Sequence, residues 1–274
     1  MWKNIAEHLK GFSEDRKIIL KSNIMTTPVI EDFIDYLKRK NLMKSTIFTI
    51  MQRVVMIHKK IKRAGYDICE DIFDIEIKNE LADTIYLTSS EIENVFSLKL
   101  KAKELRVIRD LFVIGCLTGM RYSDYSKLDS SNIVRNTIVR KTRKTGESVV
   151  IPIHHIVKEI ITKNKGFPIY RNTQQNFNKV LKNICNRAGI TDEVLIERTI
   201  GYKVVRKRVK RYILISSHTA RRSFATNAYL AGIPPARIML LTGHKSEQSF
   251  FRYIRINKQE NAKTLFEHPF FKNQ

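Results

Sequence analysis

The sequence predicts a mainly helical protein with small β-hairpins, an α+β fold in which a short helical module precedes a larger domain. Apolar residues recur at helical spacing behind capping residues along most of the chain. Two β-branched runs flank glycine-containing turns, a pattern typical of hairpins. Between residues 66 and 86 the periodicity is poor and seven acidic residues occur, which indicates a connection. We therefore expect a module over residues 1–65, a linker over 66–86 and a second domain over 87–274.

Net charge indicates the class of partner. The 274 residues carry a formal charge of +23 and the pI is near 10.0, far beyond what solubility requires. Residues 1–80 hold 15 basic and 12 acidic residues, whereas residues 81–274 hold 35 and 15. A polyanion is the leading explanation, with its main surface on the second part. The alternative is a protein that binds acidic membranes, but the sequence lacks a lipidation motif and a membrane-spanning apolar run.

Cysteine usage and the first residues favour a reducing compartment. Cys69, Cys116 and Cys185 are odd in number and far apart, so neither a disulfide framework nor a zinc site is expected. The opening segment, MWKNIAEHLKGF, lacks the apolar stretch of a signal peptide. We expect a cytoplasmic protein.

The N-terminal module is predicted to consist of a few amphipathic helices. Residues 5–9 give a short helix, and a Thr-Pro start signal precedes a second one. Ser45 is the predicted cap of a third helix, and Gly65 is its stop. Between residues 38 and 63 there are nine basic residues and no acidic one. Because solvated faces usually mix charge signs, we expect this helix to present cations to phosphate.

The second domain is predicted to begin with two helices. A capping box, Thr88 with Glu91, starts the first helix. A mostly apolar helix follows over residues 105–117 and stops at Gly119. Arg121 should therefore lie in a tight turn before a short third helix.

β-Structure is predicted in two places. Runs over residues 136–143 and 149–153 flank a Thr-Gly pair and indicate a hairpin, with Lys144 beside its tip. Residues 194–215 are β-branched and strongly basic, with a turn expected at Gly201.

The stretch from His218 to Tyr253 concentrates side chains that can act on phosphate. His218 and Arg221 are three residues apart on a predicted helix and so share a face. His244 follows Gly243 in a turn, nine residues before Tyr253. Taken singly, each residue also has a purely structural explanation, as a capping histidine, a surface arginine or a core tyrosine. The joint pattern with the earlier Thr-Gly-Met-Arg turn and the Lys-Thr-Gly hairpin favours a common site.

From Thr88 onward the chain resembles the tyrosine recombinases, also called the phage integrase family. The family's pattern is an arginine after a Thr-Gly turn, a lysine in a β-hairpin, a His-x-x-Arg helix, a Gly-His turn and a tyrosine about nine residues later. All five occur here in that order, in TGMRYSDYSKL, KTG, HTARRSFATNAYLAGIP and TGHKSEQSFFRYI. The last two segments look most like integrases of Bacteroidetes mobile elements. A five-part match is specific, whereas a single HxxR would be weak.

The resemblance implies a catalytic role for each residue. Arg121 and Arg221 would clamp the non-bridging oxygens of a phosphodiester with charge-assisted hydrogen bonds. Tyr253 would be the nucleophile. An ordinary tyrosine has a pKa of about 10, so it needs a cationic pocket and a proton acceptor, and His218 is the expected base.

Three further residues receive supporting roles from the same resemblance. Lys144 would protonate the leaving 5′ oxygen, and His244 would hydrogen-bond the phosphate or the leaving group. Asp124 matches the family's acidic position and is expected to orient the basic residues. The implied reaction is DNA strand cleavage, exchange and religation through a 3′-phosphotyrosyl intermediate and a Holliday junction. It would need no ATP, no cofactor and no metal.

Other residues compete for these roles. Lys141 lies close to Lys144, but Lys144 adjoins the Thr-Gly turn as the family's lysine does, and we favour it. Arg222 points about 100° away from Arg221 around the helix, so a phosphate or structural contact is expected of it. Two further tyrosines lack the Gly-His spacing: Tyr202 and Tyr229.

Double-stranded DNA is the expected partner. The residues predicted to bind it outside the catalytic set are Arg53, Lys59, Lys60, Arg63, Arg206, Lys207 and Arg222. The tail INKQENAKTLFEHPFF offers apolar side chains suited to a neighbouring subunit's groove, so a homo-oligomer, a tetramer on DNA, is expected. Packing of the tail on its own domain is the alternative. Accessory DNA-bending or directionality factors are further candidate partners.

Three functions fit these residues. A site-specific recombinase is favoured. A type IB topoisomerase uses a similar Arg, Lys, Arg, His and Tyr set as a monomer, and a DNA-binding protein that does not cleave is the third hypothesis.

The N-terminal module is shorter than the resemblance implies. The family's core-DNA-binding, SAM-like module usually carries four helices, whereas the roughly 40 residues before Ser45 have room for two or three. We therefore expect either a short natural form of the module or an incomplete one.

Overall fold

The computed structural model describes residues 2–80, 84–254, 256, 262, 265, 266 and 271. The chain forms two compact units that interleave in sequence. The first contains Met1–Asp83 and Leu195–Arg208, and the second contains Thr84–Val194 and Val209–Gln274. The architecture is mainly helical with two small sheets, which confirms the predicted α+β class. In the described part of the chain, none of the helices combines the length and the apolar character needed to span a bilayer.

Three helices form the first unit, and their bounds are α1 (Trp2–Arg16), α2 (Thr27–Arg39) and α3 (Lys44–Arg63). They enclose an apolar core to which α1 contributes Ile5 and Phe12, both almost fully buried, with Leu9 packed beside them. The prediction of a helix over residues 5–9 was too short. The Ile5, Leu9 and Phe12 stripe repeats at helical spacing over the length of α1, so burial of that face stabilises all four turns.

The start of α3 differs from the prediction. Met43, not Ser45, is the residue before the first turn, with extended φ and ψ of −64° and 141°. Met43 also forms an isolated antiparallel bridge with Ile200, so the chain is held extended up to the residue where α3 begins. Gly65 follows the end of the helix with a left-handed φ of 82°, as expected of a stop.

A hairpin from the later part of the sequence completes the first unit. Its strands are β4 (Glu193–Ile200) and β5 (Lys203–Lys210), joined at Gly201 as the sequence predicted. The Gly201 φ is 57°, and its N–H donates to the Leu42 carbonyl at 2.9 Å. A Cβ added to Gly201 would lie 2.7 Å from the Lys38 carbonyl oxygen. Only glycine fits where the tip meets the loop between α2 and α3.

The segment before the second unit also packs into the first. Its short 3₁₀ turn, Glu70–Phe73, buries Ile72 completely. Further along, the Glu80 carboxylate accepts from the Thr199 N–H at 3.1 Å and from the Thr199 hydroxyl at 2.8 Å. These bonds lower the pKa of Glu80, the backbone bond contributing most.

The second unit contains the remaining helices, which are α4 (Ser89–Ser97), α5 (Lys103–Thr118), α6 (Tyr122–Tyr125), α7 (His155–Asn164), α8 (Gln174–Arg187), α9 (Ser217–Leu230), α10 (Pro235–Thr242) and α11 (Glu247–Phe251). Its antiparallel sheet has the order β1 (Ile133–Val134), β2 (Thr137–Lys141) and β3 (Ser148–Pro152). Helix α5 is apolar on nearly every face and buried along most of its length, so it forms the centre of this core.

Hydrogen bonds define the start of α4 and the turn that follows α11. The capping box at the start of α4 is confirmed, with the Glu91 N–H donating to the Thr88 hydroxyl at 3.3 Å and the Thr88 N–H donating to the Glu91 carboxylate at 2.8 Å. Helix α11 ends at Phe251. Tyr253 lies in the turn that follows, where its N–H donates to the Phe250 carbonyl at 2.8 Å.

Candidate active site

The Thr-Gly turn after α5 holds two arginines near each other. Gly119 ends the helix with a left-handed φ of 67°, and an added Cβ would lie 2.4 Å from the ring of Phe224. Its carbonyl oxygen accepts from Arg221 Nη1 at 2.9 Å. Arg121 follows two residues later, immediately before α6. One turn therefore carries one guanidinium and fixes the other.

Arg221 is the largest fully buried side chain described, with 1% of its surface exposed. Burial lowers its pKa most, and Arg121 lowers it further. Tyr253 and Asp124 act in the opposite direction, and the result is about 10, so the group is cationic at neutral pH. Within the described residues, Arg121 Nη1 and Arg221 Nε are buried without a hydrogen-bond partner. Buried donors of this kind favour an anionic ligand.

His244 sits beside Arg221 in the turn after α10. Arg221 Nη2 lies 2.9 Å from His244 Nε2 and 3.3 Å from Nδ1, and the Thr242 hydroxyl lies 2.7 Å from Nδ1. Burial, Arg221 and Arg121, in that order, lower the pKa of His244 to about 3. The imidazole is therefore neutral at any physiological pH.

Tyr253 packs its ring against this cluster. The ring centre is 4.9 Å from that of His244 and 6.0 Å from that of His218, and the Arg221 guanidinium carbon lies 5.4 Å from it. Phe250 of α11 is completely buried in an apolar cluster against which Tyr253 packs, and it holds this segment in place. The tyrosine is thus held in the same site as the histidines and Arg221.

His218, the second residue of α9, lies at the edge of the site, and its side chain is partly open to solvent. Its pKa is lowered below the ordinary value, first by burial and then by four cations in decreasing order: Arg222, Arg221, Arg121 and Lys144. All four cations are therefore close enough for their fields to act on this imidazole. The lowered pKa makes the neutral, proton-accepting form dominant at neutral pH.

Asp124 links the short helix α6 to the hairpin that carries Lys144. Its side chain is 1% exposed, and Oδ1 accepts from the Arg143 N–H at 2.9 Å. The hairpin also meets the Gly-His turn, since a Cβ on Gly243 would lie 3.3 Å from Val149. Lys144 itself is exposed at the tip. Asp124 therefore contacts the backbone next to the lysine, in addition to acting electrostatically on Arg221.

A small cavity of about 150 Å³ opens beside this cluster. It is lined by Arg121, Tyr122, Ser123, Gln174, Ser217 and His218.

All seven residues that the sequence predicted for catalysis or support belong to the second unit, and the structure brings them together. Two contacts were not predicted from the sequence: the Thr242 hydroxyl contacts His244, and the Gly119 carbonyl oxygen accepts from Arg221. For the first contact, the sequence offered one signal, a threonine at a helix end whose hydroxyl can bond to the carbonyl of Ile238 four residues earlier.

The residues predicted to bind DNA have varied surroundings. Lys59, Lys60 and Arg63 are exposed on α3, and Lys207 is exposed on β5. The remaining three, Arg53, Arg206 and Arg222, are partly occupied: Arg53 lies 5.3 Å from the Trp2 ring, Arg206 pairs with Glu197 at 2.6 Å, and Arg222 also has a partner. Arg222 lies in the second unit, at the edge of the site, and the other six lie in the first.

A cationic site with a resident tyrosine and two neutral histidines defines a class of proteins that act on phosphodiesters. Residues 86–260 match the model of the phage integrase family. The chain belongs to the phage integrase family.

Solved structures share the fold at low sequence identity. A XerH site-specific recombinase bound to a palindromic difH substrate is 18% identical, with a TM-score of 0.66 over 94% of this chain and 76% of that one. A lambda integrase (75–356) dimer bound to a COC′ core site is 17% identical, with a TM-score of 0.64 over 92% of this chain and 87% of that one. The Tn1549 transposon integrase (aa 82–397) in complex with circular intermediate DNA is 16% identical, with a TM-score of 0.64 over 96% of this chain and 92% of that one. No match was found among curated proteins.

Proposed function

We propose that this protein is a site-specific DNA recombinase in which Tyr253 attacks a phosphodiester and forms a 3′-phosphotyrosyl bond. The observation that carries the proposal is the set of contacts around Tyr253. Its ring lies within 6.0 Å of both histidine rings and of the Arg221 guanidinium. Unpaired donors on Arg121 and Arg221 among the described residues suit the non-bridging oxygens, which gain charge in the transition state.

The proton transfers follow from the charge states. As the bond from the Tyr253 oxygen to phosphorus forms and the bond to the 5′ oxygen breaks, the phenolic proton passes to neutral His218. The ammonium of Lys144, on an exposed hairpin tip, protonates the leaving 5′ oxygen. Attack by a 5′ hydroxyl then reverses these steps and releases the tyrosine. Each phosphodiester broken is replaced by a phosphotyrosyl ester, so no ATP is consumed.

Duplex DNA is the proposed substrate, held by the exposed cations outside the site. The lambda, XerH and Tn1549 structures are described as DNA complexes, and the lambda one as a dimer. By analogy, two or more copies of this chain act together on DNA, with a tetramer for strand exchange. Accessory factors would supply any bending or directionality.

We assign the contact between subunits to the C-terminal tail. Leu265 and Phe266 expose 38% and 69% of their surface, so they are available to another subunit. Phe270, which the sequence also pointed to, lies outside the described residues. Replacing Leu265 and Phe266 with Ala should leave binding of one copy to DNA intact and abolish the larger complex, as measured by sedimentation. Equal assembly by this variant would contradict the role of the tail.

A capture experiment tests the chemistry and finds the target site at the same time. The protein is incubated with a library of duplexes of random sequence that carry random nicks, because a nick lets the cleaved strand diffuse away and traps the adduct. After denaturation in SDS, covalently bound DNA is recovered and sequenced. The wild type should recover one enriched sequence, here named the captured duplex, and Tyr253→Phe should recover none. Wild-type recovery no higher than that of Tyr253→Phe would exclude both enzymatic functions and leave DNA binding alone.

The captured duplex also separates the recombinase from the type IB topoisomerase. Two labelled copies of the captured duplex are mixed with protein, and a supercoiled plasmid that contains it is treated in parallel. Exchange of labelled strands supports the recombinase. Plasmid relaxation by a monomer without strand exchange would assign the topoisomerase activity instead.

We infer a mobile-element origin from the HTARRSFATNAYLAGIP and TGHKSEQSFFRYI segments alone. Such an element should contain the captured sequence at its ends. Sequencing of the DNA that flanks the gene tests this, and the absence of that sequence from both flanks would contradict the inference.

A further inference from the structure

We propose that Thr242 is a positioning residue that fixes the tautomer of His244 and, through it, the orientation of the Arg221 guanidinium. The kinetic consequence rests on the proposed recombinase function. The tautomer itself rests only on hydrogen bonds within the second unit.

The hydroxyl of Thr242 has one proton to donate and two close neighbours, and a third acceptor, the Met239 carbonyl oxygen, lies farther away at 3.4 Å. Its oxygen lies 2.7 Å from the Ile238 carbonyl oxygen and 2.7 Å from His244 Nδ1. A carbonyl oxygen can only accept, so the hydroxyl proton goes to Ile238, one turn earlier in α10. A lone pair of the hydroxyl therefore faces Nδ1. Nδ1 must carry a hydrogen for the short contact to be a hydrogen bond.

The Arg221 guanidinium contacts the same imidazole. Arg221 Nη2 lies 2.9 Å from His244 Nε2, closer than the 3.3 Å to Nδ1. A guanidinium has donors and no acceptor, so the nearer ring nitrogen, Nε2, is the one better suited to carry no hydrogen. The Thr242 contact requires hydrogen on Nδ1, and the shorter Arg221 distance agrees with a neutral ring that has none on Nε2. The lowered pKa of His244 agrees with a neutral ring.

This form changes what His244 can do for the reaction. With its only N–H donated to Thr242, the ring cannot also donate to a phosphate, which is the role the family resemblance implies. It accepts from Arg221 instead. Arg221 is then held at two points, by Gly119 through Nη1 and by His244 through Nη2. Its Nε, which has no partner among the described residues, remains for substrate.

The surroundings keep the threonine in place. Thr242 is 1% exposed, and its methyl group packs where a Cβ on Gly119 would be only 2.8 Å away. Thr242→Val retains this shape and removes the hydroxyl, whereas Thr242→Ser retains the hydroxyl and removes the methyl group. Thr162→Val is a control outside the site. Thr162, on α7, also donates to the carbonyl one turn earlier, that of Lys158, at 3.0 Å.

The tautomer is measured directly by nitrogen NMR on protein labelled with ¹⁵N-histidine, with the His244 signals assigned from His244→Gln. The wild type and Thr242→Ser should show a protonated Nδ1 and an unprotonated Nε2. Thr242→Val should show a mixed or reversed pattern, and Thr162→Val should match the wild type. A wild-type ring protonated on Nε2 overturns the proposal. If Thr242→Val fails to fold, the wild-type and Thr242→Ser spectra still decide the point.

Single-turnover cleavage of the captured duplex gives the kinetic test. Loss of one hydrogen bond that acts through another residue should slow Thr242→Val about 10-fold, with DNA affinity unchanged and with Thr242→Ser within about 3-fold of wild type. A Thr242→Val enzyme with the wild-type spectrum and rate would overturn the role of Thr242. Absence of any adduct in all variants would instead contradict the proposed function, and the NMR result would stand by itself.

Discussion

Cationic side chains occur in two regions of this protein, and their surroundings are opposite. In the second unit, Arg221 is buried beside Arg121, and each retains a buried donor without a partner among the described residues. In the first unit, Lys60 and Arg63 on α3 are open to solvent. Burial of like charges is unfavourable unless an anion joins them, whereas exposed charges cost little and are screened by salt. The buried pair suits chemistry on one phosphate, and the exposed residues suit binding of a long polyanion.

Replacing a buried guanidinium should have the largest effect. Arg221→Lys keeps the charge but loses the planar guanidinium whose Nη1 and Nη2 contact Gly119 and His244, so we expect cleavage of the captured duplex to slow about 10²–10³-fold. DNA affinity should change by less than about 3-fold, since one of many phosphate contacts is affected. Rapid-quench kinetics and fluorescence anisotropy measure the two quantities. A larger effect on affinity than on rate would remove the distinction between the regions.

The pH dependence of cleavage tests the neutral state of His218. Because burial and neighbouring cations lower its pKa, the base remains unprotonated as pH falls through about 6.5, the ordinary value for histidine. The cleavage rate at subsaturating DNA should therefore hold level past that point. Below the lowered pKa of His218, the rate should fall about 10-fold per pH unit as the imidazole becomes charged.

His218→Asn is the matched variant for this profile. It should lower the plateau and remove the acidic decline. His244 cannot account for that decline, because its pKa lies near 3. An acidic decline centred at or above about 6.5 in the wild type would show that the cations do not depress His218.

The exposed cations should affect binding and not chemistry. A double variant, Lys60→Gln with Arg63→Gln, should weaken DNA binding about 10-fold and reduce the slope of log Kd against log salt by about two. Cleavage at saturating DNA should match the wild type. Lys10→Gln, which removes an exposed charge on α1 that pairs with Glu14, is the control and should change the slope less. A slower saturated rate in the double variant would place these residues in the chemistry.

The smallest effect is expected within the first unit, where the β4–β5 hairpin contacts Glu80. Glu80→Gln removes the charge that accepts from the Thr199 N–H and hydroxyl, so the free energy of unfolding should drop by at most about 1 kcal/mol at pH 7. The folded pKa of Glu80 is lowered, so its contribution is present above its unfolded value of about 4.3 and is lost as pH falls through the folded pKa. Urea denaturation at neutral and acidic pH measures this. A difference between wild type and variant that grows on acidification would contradict the assignment.

The sequence predicted which residues come together in the second unit better than it predicted the helix boundaries of the first. Arg121, His218 and Tyr253 could be singled out as candidates because their order and spacing resemble the pattern of the family. Met43 as the start of α3 could not, because its conformation depends on a bridge to Ile200, far away in sequence. The hairpin of Leu195–Arg208 was predicted as β-structure from local pattern, but its membership of the first unit depends on contacts with Leu42 and Glu80. Local patterns do not encode such pairings.

Thr242 shows the same limit inside the site. Its position before the Gly-His turn is visible in the sequence, but the second contact of its hydroxyl depends on the angle at which the turn leaves α10. The left-handed φ of 66° at Gly243 sets that angle. A role that depends on a single turn geometry requires the structure.

The most direct test of the account identifies the residue that carries DNA. The adduct formed with the captured duplex is digested with nuclease and protease, and the modified peptide is sequenced by mass spectrometry. We predict a nucleotide attached through its 3′ phosphate to Tyr253. Attachment to another tyrosine, such as Tyr202 or Tyr229, or linkage through a 5′ phosphate, would contradict the central claim that the buried cations around Tyr253 form the catalytic site.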